Sequence, residues 1–208
     1  MTFATHEIRT PITVMRGYAS ILLDGDKGEI NPAVIDLLQK IMISGNEVIS
    51  LLTQYLNKSE IELGQLQYVF TKTDIVPMIN DVLTTFQVNA EQRGLLLTRV
   101  LTTKDKIFVN ADGGKLKEVI TNLVDNSIKY TPQGYVSISV ERNNGIILIK
   151  VADTGVGVTL DTKSALFKEF SRADIKKVNI LGTGLGLYLA KIFIDAHPGA
   201  KQEEIEKI

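Results

Sequence analysis

The stretch Thr5-His6-Glu7-Ile8-Arg9-Thr10-Pro11 opens a heptad pattern near the amino end of the chain. From it, Thr5, Ile8, Ile12, Met15, Ala19 and Leu22 step alternately by three and four positions, the seam of a helix that packs on other helices. A turn-rich segment from Asp24 to Pro32 interrupts the rhythm. It returns in Val34, Leu38, Ile41, Gly45, Val48, Leu52 and Tyr55, with Ile35, Met42, Ile49 and Leu56 alongside. Asn31 followed by Pro32 suits the cap and first turn of the second helix. Residues 1–62 are therefore expected to form two long helices. Two helices cannot cover two broad apolar stripes against each other, so a homodimer with a four-helix bundle is predicted.

Outward from this hairpin, composition bounds the rest. The 208 residues allow one large domain or two small ones, and 44% hydrophobic content supports a core. No apolar run is long enough for a bilayer span, and no secretory leader is expected behind Met1. Without cysteine there is no disulfide framework or thiolate metal site. A net charge of −1 and the absence of tryptophan argue against a nucleic-acid partner.

Near Gly64 the heptad rhythm stops. Residues 64–73, with Leu66, Tyr68 and Phe70 alternating, suggest an extended connection. Asp74 is expected to cap a helix running to about Arg93, with strands at Leu95–Val100 and Ile107–Val109. Lys115–Lys129 and Leu187–Ala196 have helical patterns. Tyr135–Arg142 and Ile146–Val151 predict a hairpin around Asn143-Asn144-Gly145. Helices and strands interleave without regular βαβ spacing, which favours an α/β sandwich over a doubly wound sheet.

Chemistry-bearing residues concentrate in four places. His6 lies two positions from the seam residue Ile8, roughly 200° around a helix, so its ring is expected to face solvent. Glu7 can accept a proton from that ring and make the other nitrogen a better nucleophile, and Pro11 loosens the helix just beyond. A lone surface histidine would mean little; one set in this string before a heptad helix means more. Asn122 and Asn126, four apart, present two amides on one helix face, and neutral amide oxygens can ligate Mg²⁺ without cancelling its charge. Lys129 could reach a phosphate and Tyr130 a nucleoside, though an amphipathic helix can hold two asparagines by accident.

Asp153-Thr154-Gly155-Val156-Gly157 follows a strand. A carboxylate at Asp153 can accept from the exocyclic amine of adenine, while Gly155 and Gly157 allow backbone near a flat base. The same string is also a common turn. Gly182-Thr183-Gly184-Leu185-Gly186 precedes a helix, and glycine amides at a helix start suit phosphate oxygens. A dinucleotide fingerprint is disfavoured because the glycine spacing differs and no strand directly precedes it.

Together and in this order, these segments resemble the H, N, G1 and G2 boxes of sensor histidine kinases of two-component systems. Phe167-Lys168-Glu169-Phe170 is similar to the F box. The resemblance implies a two-domain chain: a helical hairpin forming a dimeric four-helix bundle (1–63), a linker (64–73) and an α/β sandwich ATP-binding domain of the GHKL type (74–208). It implies that His6 takes the γ-phosphoryl group of ATP, that Glu7 is its acid/base partner, and that Thr10 positions water for hydrolysis of a partner's phospho-aspartate. Asn126 would be the main Mg²⁺ ligand with Asn122 its helper, and Asp153 would select adenine. Gly182, Thr183, Gly184, Leu185 and Gly186 would face phosphate, and Arg172 would lie in a lid over ATP from Phe170 to Leu181. The phosphoryl group would then pass to an aspartate on the receiver domain of a response regulator. A cytoplasmic location follows, in a free protein or as the cytoplasmic part of a membrane-bound sensor.

The pattern departs from the family in three respects. The chain opens only five residues before His6, so the upstream helix and any sensor or membrane segment are expected to be absent. Ser127 stands where alanine is usual, a small change. Family members usually continue past the last helix into two further strands, whereas here His197-Pro198-Gly199 is followed by a short charged tail. The ATP-binding domain is therefore expected to be truncated, naturally or by engineering, with weaker nucleotide binding or lower stability. The competing expectation is a catalytically impaired dimeric scaffold that binds a response regulator. A gyrase- or chaperone-type ATPase ranks last, since it leaves the His6 string and the paired heptads unexplained.

Overall fold

The computed structural model describes residues 2–25, 28–101, 106–143, 145–159, 165–169 and 184–200, without the side chains of residues 2–6, 101 and 143. The chain divides into two compact units, one ending at Leu66 and one beginning at Gln67.

The first unit is a helical hairpin of α1 (Thr2–Leu23) and α2 (Pro32–Glu62). Asn31 caps α2 by accepting the Ala33 N–H at 2.8 Å, and Pro32 occupies the first turn, where its missing N–H costs nothing. Pro11 lies inside α1, which runs through it. The heptad residues split in two. Ile12 and Ala19 of α1 and Leu38 of α2 are buried between the helices, whereas Ile8, Met15, Ile41 and Tyr55 stay exposed. A two-helix contact covers one face only, and each large apolar side chain left in water forgoes about 1.5–3 kcal/mol. At the crossing, Gly45 admits the stem of Arg16: a Cβ there would stand 2.8 Å from Arg16 Cγ. Arg9 donates to Thr53 Oγ1 at 3.3 Å.

The second unit places strands and helices in layers. β1 (Thr71–Asp74) pairs antiparallel with β3 (Phe108–Ala111), so the extended connection enters a sheet at Thr71. β2 (Leu95–Leu101) pairs parallel with β4 (Gly134–Asn143), which pairs antiparallel with β5 (Ile146–Asp153). Gly145, with φ +83°, turns the β4–β5 hairpin; Asn144 lies outside the described residues. Helices α3 (Ile75–Gln92), α4 (Gly113–Tyr130) and α5 (Gly186–Ala196) complete the unit. Alternation is clear on β4: Val136, Ile138 and Val140 are fully buried against Ile75, Ile79 and Val82 of α3 and Ile120, Val124 and Ile128 of α4. The α/β layering expected from the irregular element order is what forms.

Caps decide where the helices begin. Asp74 accepts the Val76 N–H at 3.2 Å and starts α3. α4 begins two residues before the expected Lys115, at Gly113, because Asp112 caps it by accepting the Lys115 N–H at 3.0 Å. That cap, with Leu116 buried one turn on, outweighs the poor helix propensity of Gly113 and Gly114, about 1 kcal/mol each. The other Asp112 oxygen accepts the Val69 N–H at 2.9 Å, and the Asp112 N–H donates to His197 Nε2 at 3.1 Å. Burial opposes ionisation of Asp112, but N–H groups of Lys115, Val69 and Gly114 and the Lys115 charge outweigh it. The carboxyl is thereby held below its ordinary value.

Asp112→Ala is expected to cost about 1–2 kcal/mol, chiefly by removing the α4 cap, since the exposed Val69 N–H it releases can turn to water. The native pKa is depressed, so this stabilisation is complete above the unfolded carboxylate value near pH 4. It fades as pH falls through the lower native value. Urea titrations of both proteins at pH 7 and below pH 4 check this: the gap should narrow in acid, and a gap independent of pH would contradict the assignment.

Candidate functional site

The residues singled out in the sequence fall in both units. His6, Glu7 and Thr10 lie on α1. Glu7 and Thr10 are exposed on the hairpin, while the His6 side chain, and with it the expected direction of the ring, lies outside the described residues.

In the second unit α4 is the floor on which the remaining pieces meet. Asn122 donates through Nδ2 to the Gly186 carbonyl at 3.3 Å, fastening the middle of α4 to the first residue of α5. The two helices approach closely here: a Cβ on Gly186 would be in van der Waals contact with Asn122 Oδ1, at 3.4 Å. One turn on, Asn126 is half-buried, and among the described residues its amide has no hydrogen-bond partner. Lys129, expected to reach phosphate, is held by Asp125 at 2.6 Å in a half-buried pair. The Asp-to-Lys spacing of four on a helix is the signal that could have shown this.

At its carboxyl end α4 meets the turn after β5. The Tyr130 carbonyl accepts the Val156 N–H at 3.1 Å, and the Thr154 N–H donates to the Tyr135 carbonyl at 3.2 Å. Asp153, half-buried at the end of β5, accepts the Gly155 N–H through Oδ1 at 2.9 Å. Gly155 has no room for a side chain: a Cβ would stand 2.5 Å from the Tyr130 carbonyl oxygen and 2.9 Å from Thr131 Oγ1. Space thus explains Gly155, whereas Gly157, with φ +68°, is explained by backbone conformation.

The α5 end is the other wall. Gly184 has φ +70°, and α5 starts at Gly186 with no side chain capping its first N–H groups. Such an end presents the positive end of a helix dipole, which suits an anion. The Leu185 side chain faces the core, 3% exposed, so any part it takes at the site is through its backbone. Gly182, Thr183 and Arg172, and the lid stretch with Phe170, lie outside the described residues. From Asn122 to Tyr130 is eight residues, about 12 Å of helix separating the α5 end from the Asp153 turn.

These donors fit a divalent ion carried by a polyphosphate. Asn126 offers a neutral oxygen, and among the described residues no group of three His, Asp or Glu could hold a metal alone. The family model "Histidine kinase-, DNA gyrase B-, and HSP90-like ATPase" matches residues 111–206, the stretch that contains α4, the Asp153 turn and α5. The model "His Kinase A (phospho-acceptor) domain" matches residues 1–64, the hairpin with His6. The chain belongs to the sensor histidine kinases of two-component systems.

Individual relatives agree. The circadian input-output histidine kinase CikA of Synechococcus elongatus is 30% identical over 203 residues, covering 96% of this chain and 27% of its own length. The sensor histidine kinase WalK of Bacillus subtilis is 31% identical over 204 residues, covering 94% and 32%. The chain thus spans a third or less of these relatives. Among solved structures, the Acinetobacter baumannii histidine kinase AdeS matches at a TM-score of 0.62 and 29% identity, covering 95% of this chain and 89% of that one. Full-length ShkA, solved with AMPPNP, shares the fold at a TM-score of 0.66 and 22% identity, covering 93% and 40%.

Two participants in the candidate site escaped motif reasoning. One is Asp125, through its grip on Lys129. The other is Thr154, whose hydroxyl accepts the Tyr135 N–H at 3.0 Å. No helix among the described residues is long and apolar enough to cross a membrane.

Proposed function

We propose that this chain binds MgATP on its second unit, phosphorylates itself on His6 and passes the phosphoryl group to an aspartate of a response-regulator receiver domain. One observation carries the reading: α4 joins a bare helix start at Asn122 to a carboxylate turn at Tyr130, about a nucleotide's reach apart. In this assignment Asp153 takes the exocyclic amine of adenine, the α5 start takes phosphate oxygens, and Asn126 is the main Mg²⁺ ligand with Asn122 beside it. Bound Mg²⁺ supplies charge neutralisation on the phosphates.

A His6 ring nitrogen attacks the γ-phosphorus, the bond from that phosphorus to the β–γ bridging oxygen breaks, and ADP leaves. Glu7 accepts the ring proton. Thr10 positions water for hydrolysis of the regulator's phospho-aspartate. Residues 1–63 form the dimerisation and phosphotransfer domain, 64–73 the linker and 74–208 the ATP-binding domain. The exposed Ile8, Met15, Ile41 and Tyr55 meet a second copy. The location is cytoplasmic, alone or within a membrane-bound sensor.

Asn126→Ala tests the site. Its amide bonds nothing among the described residues, so the melting temperature should barely move, while acid-labile label from γ-labelled ATP should fall about a hundredfold. Full labelling by the variant would remove α4 from the reaction.

A further inference from the structure

We propose that Thr154 is a positioning residue for nucleotide selection, its hydroxyl admitted by the bare Cα of Gly134 and fixing the Asp153 turn before any base arrives. The proposal rests on Asp153 being the adenine reader. Thr154 is exposed, as is Gly134 beside it, so neither residue serves the core.

The Thr154 hydroxyl nevertheless works as a staple. It accepts the Tyr135 N–H at 3.0 Å and donates to the Gln133 carbonyl at 3.3 Å, with the Tyr135 carbonyl an alternative acceptor at 3.5 Å. The Thr154 N–H also reaches the Tyr135 carbonyl, so side chain and backbone grip the start of β4 together.

Gly134 is the second half of the device. Its φ of +112° suits glycine, and a Cβ on it would lie 2.1 Å from Thr154 Oγ1. The hydroxyl thus occupies space that any other residue at 134 would take.

The consequence falls on Asp153. Its Oδ1 is committed to the Gly155 N–H, so Oδ2 is the oxygen left for an exocyclic amine. Aiming Oδ2 requires the strand end and the turn to hold still. Gly155 is braced from the α4 side by Tyr130 and Thr131, and Thr154 braces the turn from the β4 side. A reader aligned in advance loses less ordering entropy on binding, and the gain goes to the base whose amine it meets. Guanine, which carries a carbonyl at that ring position, gains nothing from the alignment.

The test measures equilibrium binding of ATP and GTP to the full chain and to its Thr154→Ser, Thr154→Val and Asp153→Asn variants, with exchange of the Tyr135 amide followed alongside. Thr154→Ser should keep the wild-type ATP-to-GTP ratio. Thr154→Val should lower it about tenfold through weaker ATP binding alone, and speed Tyr135 exchange by a similar factor. Thr154→Ala repeats the measurement should valine prevent folding. A wild-type ratio in Thr154→Val beside a lost ratio in Asp153→Asn overturns the proposal. An unchanged ratio in Asp153→Asn instead overturns the adenine assignment. Tyr135 exchange then judges the staple alone: faster exchange in Thr154→Val supports it, and unchanged exchange overturns it.

Discussion

His6→Gln is expected to abolish acid-labile labelling from γ-labelled ATP, to below about one hundredth of the wild-type level, while ATP binding stays intact. Glutamine keeps a polar side chain and a good helix propensity, so α1 should persist, but its amide nitrogen is no nucleophile. The ATP-binding unit is a separate compact body and should not register the change. The chain has one other histidine, His197, and the structure removes it from contention. Its ring is 6% exposed, with Nδ1 2.6 Å from the Phe193 carbonyl and Nε2 accepting the Asp112 N–H. Both ring nitrogens are engaged with backbone, and the rings of Tyr68 and Phe70 pack against it. Phosphohistidine should therefore disappear entirely in the single variant. Label that survives His6→Gln would mean a different acceptor residue, and the proposed transfer would fall.

Gly155→Ala should severely damage the ATP-binding unit. The new methyl would stand 2.5 Å from the Tyr130 carbonyl oxygen, 2.8 Å from Asp153 Oδ1 and 2.9 Å from Thr131 Oγ1. None of the three can yield cheaply. The carbonyl ends α4 and accepts Val156, Thr131 is fully buried with its hydroxyl donating to Ser127 O at 2.6 Å, and Asp153 holds the Gly155 N–H. The turn must lift off the helix, at about 3 kcal/mol, and ATP affinity should fall with it. Gly145→Ala is the control, since a Cβ there meets nothing within 4 Å and the cost is a strained φ of +83° alone, about 1–2 kcal/mol. Urea unfolding and ATP titration of both variants give the comparison. Equal losses in the two would show that Gly155 is not a steric keystone.

What could be read from the sequence was what is decided locally. Asn31 with Pro32, and Asp74, fix helix starts through side chains two residues from the amides they meet, so their positions were legible. The heptad stripes were legible as faces, but which half of each stripe the hairpin itself buries was not. That Ile12 and Ala19 go inside while Ile8 and Met15 stay out depends on how α1 crosses α2, including the gap that Gly45 leaves for Arg16. The start of α4 was misplaced because two glycines disguised a helix whose cap is Asp112. The motif residues were legible by resemblance, yet their partners were not. Asn122 meets a carbonyl 64 positions away and His197 an amide 85 positions away, pairings that no periodicity encodes. Lys129 shows the converse, a local pairing with Asp125 that the spacing of four encodes and the motif reading passed over.

The parallel alignment of β2 with β4 has a kinetic consequence. Strands laid in the same direction cannot zip from a tight bend; the chain between them must first travel back, here through β3 and α4. The α1–α2 hairpin, by contrast, closes through a short connection, and its entropic toll is small. During synthesis the phosphoacceptor hairpin can therefore mature early, while the pocket that would phosphorylate it stays unmade until α4 has docked.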